Sequence, residues 1–147
     1  MTTRTKANIL REIEDAREAL MRLLEGVPEG RWEESNAEGT WSVRDVLGHI
    51  ATWDEESVNR VRNFTSGRAP VPTPTNYNER EVERQRRLSA KAIKELFERN
   101  HTAAMRYLRS LPAEALRRAD VEKQVMGCMA NHYQEHAESL RNWVAKG

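Results

Sequence analysis

The segment Asn131–Trp143, NHYQEHAESLRNW, decides how the chain is read, because it sets two histidines four residues apart inside a stretch with helical apolar spacing. At about 100° per residue, His132 and His136 fall roughly 40° apart on one helical face, so both imidazoles can reach one ion. With His132 as the origin, Val125 and Trp143 project near ~20°, Met129 near ~60° and Leu140 near ~80°. This places both histidines within the apolar stripe of a helix expected from about Val121 to Val144. Two neutral imidazoles buried without partners would cost roughly 1–3 kcal/mol each, a cost that a shared ion removes. Hydrogen bonds to neighbouring core side chains would remove it too, and His-x3-His alone does not separate the two readings.

The rest of the chain repeats the helical period. Ile9, Ile13, Ala16, Leu20, Leu23 and Val27 mark one stripe, ended by Gly26 and Pro28. After a loop rich in Gly, Glu, Asn and Ser, Ser42 and Asp45 form a capping-box pattern ahead of Val43, Val46, Leu47, Ile50, Val58 and Val61. That helix is expected to stop near Gly67, where GRAPVPTPTNYN brings three prolines within five residues. Asn78 with Glu81 reads as a further cap, opening a long third helix through Val82, Ile93, Leu96, Ala103 and Tyr107 toward Pro112. Four amphipathic helices with no strand bury their stripes only against one another, so the expected fold is an all-α four-helix bundle, one domain over 1–147, with a proline-rich crossover between helices 2 and 3.

Bulk composition narrows the partners. The 24 basic and 23 acidic residues nearly cancel, and no tract concentrates Lys and Arg, so nucleic acid is not expected as a partner. The basic runs around Arg84, Arg86 and Arg87 and at Arg117 and Arg118 read as solvated faces, with an anionic thiol cofactor as the rival use. No window approaches the ~20 apolar residues of a membrane span, and the N-terminus lacks a signal-peptide core. A single cysteine, Cys128, fits a reducing, cytoplasmic setting.

His49 falls one turn after Val46 and one turn before Trp53, at the margin of the second helix's buried face. Three histidines from two helices would leave coordination positions open, as in catalytic zinc sites. Acceptors able to orient a ligating imidazole are Asp45, Asp54 and Glu56, although Asp45 also suits a plain cap. Cys128, one turn before His132, is a candidate fourth ligand or nucleophile, with inert packing the plainer reading. Trp41, Trp53, Tyr77 and Tyr133 could wall a cavity, Trp53 and Tyr133 foremost because each neighbours a histidine. His101 reads as an ordinary, partly exposed histidine.

TWSVRDVLGHIATWDEE (Thr40–Glu56) together with NHYQEHAESLRNW resembles the DinB-like superfamily, and the resemblance spans nearly the whole chain. The matching elements are the Trp-Ser pair before the second helix, a histidine seven residues after Ser42, the proline-bearing crossover and the late His-x3-His. The resemblance implies an up-down-down-up bundle, often a homodimer, with His49, His132 and His136 as ligands to nickel, zinc or a similar divalent ion. It also implies a metalloenzyme, a transferase using a low-molecular-weight thiol or a hydrolase, acting on a small-molecule electrophile. A non-catalytic module binding metal or a small ligand, and a structural dimer with core histidines, are the alternatives that the sequence leaves open.

Overall fold

The computed structural model describes residues 3–69 and 71–147, so Pro70 of the crossover lies outside the described residues. Helix α1, Lys6–Glu25, opens on a reciprocal cap between Thr5 and Asn8 and buries Ile9, Ile13, Ala16, Leu20 and Leu24. Helix α2, Val43–Thr65, starts at the Ser42–Asp45 capping box expected from the sequence and ends just before Gly67, whose φ of +72° favours glycine.

The third helix departs from expectation. Instead of one long helix there are two, α3 (Tyr77–Gln85) and α4 (Ala90–Ser110), because Ser89 caps a fresh start by accepting from the Ala92 N–H. Asn78 is not the cap: Asn76, in the left-handed region at φ 58°, holds that position, and Asn78 faces Trp53. A one-turn helix α5 (Ala113–Leu116) leads into α6 (Ala119–Val125) and α7 (Asn131–Lys146), joined by a π-helical turn over Met126–Ala130. There the Asn131 N–H reaches back five residues to the Met126 carbonyl, inserting one extra residue into an otherwise continuous rod.

Side-chain pairings give the directions of the rods. Gly48 faces Ile93, and the Arg62 guanidinium covers the Tyr107 ring, so α2 and α4 run parallel, as the long crossover allows. Glu14 meets Arg109 and Arg17 meets Phe97, so α1 opposes α4. His49 meets His136 while Ser57 meets Gln124, so α2 opposes α6 and α7. The result is the up-down-down-up bundle, with Leu47, Ile50, Ile93, Phe97, Met105, Met129, Tyr133 and Leu140 fully buried along its axis. Among the described residues there is no strand, only an isolated bridge between Glu38 and Trp41. No described helix is long and apolar enough to cross a membrane.

Candidate metal centre

The site forms where the first half of α2 passes the start of α7. Their antiparallel course sets His49 opposite His132 and His136, which are held one regular turn apart. His132 Nε2 lies 2.9 Å from His49 Nε2 and 2.8 Å from His136 Nε2. These three residues could hold a metal ion, since each offers a ligand atom within 4.8 Å of the others. His49 and His136 are buried and His132 is partly so.

The electrostatics favour the unprotonated form that ligation requires. Burial first, then the neighbouring His136, push His49 down to about 3. Burial again leads for His132, also about 3, joined by His136 and His49 and opposed by a backbone contact from Cys128. The buried Nδ1 of His132 has no hydrogen bond of good geometry.

A turn outside the bundle completes the centre. Glu38 and Trp41 exchange backbone hydrogen bonds at 3.1 and 2.9 Å around Gly39, whose φ of +58° a side chain would strain. From this turn Glu38 Oε2 accepts a 2.7 Å hydrogen bond from His136 Nδ1, which fixes that ring's tautomer and turns its Nε2 lone pair toward the other histidines. Trp41 packs on the His49 ring at 4.9 Å between centroids. Glu38 escaped sequence reasoning because it belongs to no periodic segment; the Glu-Gly-Thr-Trp turn was its only trace.

The other candidates lie elsewhere. Asp45 caps Ser42 and pairs with Arg86 at 3.4 Å, and Glu56 pairs with Arg60 at 3.4 Å, so neither orients a histidine of the cluster. Trp53 donates to Asn78 and meets the Tyr77 ring edge-on, fastening α3 to α2. Cys128 sits half-buried in the π turn, outside the imidazole cluster, and burial raises its thiol pKa despite Arg60 and Gln124 acting the other way.

Asp54 and Tyr133 form a second buried group. The Tyr133 hydroxyl donates to Asp54 Oδ1 at 2.6 Å, His101 Nδ1 lies 3.0 Å from the same hydroxyl, and Arg17 Nη1 stands 3.8 Å from Asp54 Oδ2. Asp54 is wholly buried, which pushes its carboxyl up to about 7 against the hydrogen bond from Tyr133 and the charge of Arg17. His101 is therefore no ordinary surface histidine: burial, then Arg17 and Arg109, lower it to about 3.

A helical bundle with three imidazoles converging between two antiparallel rods defines the class of this protein. The chain belongs to the DinB superfamily, whose family model matches residues 12–140. Among solved structures it is similar to ClbS, a colibactin self-resistance protein crystallised with dsDNA, at TM-score 0.82 and 10% identity, with 98% of each chain covered. An uncharacterised protein from Escherichia coli UTI89 superposes at TM-score 0.80 with 17% identity over 97% of this chain and 94% of its own. A Streptococcus pneumoniae protein does so at 0.73 and 16% over 99% and 93%. No curated protein sequence matches.

The ClbS complex corrects the exclusion of nucleic acid as a partner. A bundle of this fold is solved with dsDNA bound. Whole-chain charge balance therefore does not exclude such a partner, because phosphate contacts depend on a local surface and not on the sum of charges.

Proposed function

We propose that this chain is a divalent-metal-dependent enzyme in which His49, His132 and His136 hold one ion, nickel or zinc, and act on a small electrophile as a thiol-dependent transferase or a hydrolase. The observation that carries the reading is the approach of three Nε2 atoms to one another. A ring nitrogen presents one proton or one lone pair, so His132 Nε2 makes one linear hydrogen bond and cannot satisfy both neighbours. With His136 Nδ1 donating to Glu38, the remaining contact stays unpaired in a buried setting, and a cation among the three relieves it.

The chemistry such an ion supplies is Lewis acidity, which lets a thiol or a water lose its proton near neutral pH. The protein's own part is to keep His49 and His132 unprotonated by burial, to orient His136 through Glu38, and to cover His49 with Trp41. Three protein donors leave room for a substrate atom.

Metal analysis of tag-free protein, followed by incubation with low-molecular-weight thiols and a model electrophile, tests this directly. Near-stoichiometric nickel or zinc and turnover lost in His136→Ala support the enzyme. Bound metal without turnover leaves a binding module, and well under one equivalent after reconstitution refutes the centre.

The dsDNA complex of ClbS favours a second reading, contact with DNA. On this chain Arg80, Arg84, Arg86 and Arg87 line an open groove along α3. Arg84 is paired with Glu81, and Arg86 with Glu83 and Asp45, whereas among the described residues neither Arg80 nor Arg87 makes an ion pair. Duplex binding that weakens steeply with salt and is lost in the double variant Arg80→Glu/Arg87→Glu supports this reading; salt-insensitive or absent binding refutes it.

A further inference from the structure

Between the C-terminal half of α1, the start of α2 at Leu47, and α4 lies a cavity of about 190 Å³. Leu24, Trp32 and Phe97, all buried, give it apolar and aromatic walls. Its charged lining is lopsided: Glu25, Glu29 and Glu98 against one lysine, Lys94.

That lysine shows how the cavity treats a cation. Lys94 Nζ lies 3.4 Å from Glu29 and 5.9 Å from the Trp32 ring centroid, held between a carboxylate and an aromatic face. Glu25 and Glu98, both solvent-exposed, make no ion pair among the described residues; the Arg17 guanidinium, stacked on the Phe97 ring, acts on Glu98 from a distance. The Trp32 indole is itself fixed by donating to the Val27 carbonyl at 3.2 Å, which makes its ring a preformed wall.

We infer that this cavity is a binding site for a small organic cation, an ammonium carried on an aromatic or branched apolar body. The walls take the apolar body, Trp32 receives the cationic head through its π face, and Glu98 and Glu25 supply the counter-charge. Lys94 is the internal competitor that such a ligand displaces. The site shares no residue with the histidine centre, so it stands or falls apart from the proposed enzyme.

The test is an NMR titration of the full chain, following the Trp32 indole N–H, with benzyltrimethylammonium, its uncharged carbon isostere neopentylbenzene, and the anion 3-phenylpropionate. The expected result is a saturable shift with the ammonium, roughly tenfold tighter than with the neutral isostere, and none with the anion. Glu98→Gln weakens the ammonium several-fold, while Lys94→Met tightens it, a gain that damage to the fold does not produce. Equal affinity for the neutral compound, an unmoved Trp32 signal, or no tightening in Lys94→Met overturns the inference.

Discussion

Glu38 and His136, 98 residues apart in sequence, meet at 2.7 Å, and this contact ties a turn outside the bundle to the innermost of the α7 pair. A carboxylate on the far nitrogen raises the basicity of the near one and fixes its direction. Glu38→Gln is expected to weaken zinc or nickel binding by about 10–100-fold while the melting temperature without metal changes little. Competition against a chromophoric chelator measures the first quantity and thermal melting the second.

Removing a proposed ligand should separate metal from fold. His132→Ala leaves a folded bundle, because His132 stands at the edge of the buried face. If the proposed centre binds metal, this variant is expected to abolish the stabilisation that saturating metal would give the parent protein, about 4 kcal/mol at a thousandfold excess over the dissociation constant. Melts with and without metal, for both proteins, provide the check.

The pH dependence of the metal-free protein has two opposed parts. His49 and His132 titrate near 3 when folded and near their ordinary value when unfolded. The unfolded chain therefore binds more protons between these limits, and stability falls as pH drops through this window. Adding a chelator and lowering the pH from about 7 to 4 should reproduce that loss, and His49→Phe should shrink it.

Asp54 works in the other direction. Its carboxyl is raised to about 7 in the fold, so the folded state keeps a proton that the unfolded chain gives up above its ordinary value near 3.8. Stability from this group is full below that value and is lost as pH rises toward and past 7. Asp54→Asn should gain on the parent by on the order of 1–3 kcal/mol between pH 4 and 8, read from urea melts. A constant difference across that range would contradict the assignment.

The π turn gives a test of helix register. It inserts one residue between α6 and α7, and at exposed Gly127 a side chain would point into open space. Deleting Gly127 should restore a continuous α-helix with both flanking faces unchanged, leaving metal affinity within about threefold. Loss of binding would show instead that the turn itself shapes the centre.

By itself the sequence determined α1 and α2 and their inner faces, but not the break between α3 and α4. The capping box at Ser42 and Asp45, the breaks at Gly26 and Gly67, and the apolar spacing of α1 and α2 act locally, within a few residues of chain, and are legible there. His-x3-His likewise fixed that two imidazoles share a face. What it misjudged also has a local cause: an ideal 100° step put Val125 in line with His132. The π insertion turns Val125 about 100° further, beside Tyr133, Ala137 and Leu140, and leaves His132 at the stripe's margin.

Only the tertiary structure decided the rest. It brought His49 across from α2, laid Glu38 against His136, and turned Asp54 and Tyr133 away from the histidines to meet Arg17 and His101. Such pairings join residues far apart in the chain, and the packing of whole helices fixes them, so no periodicity along one segment carries their signal.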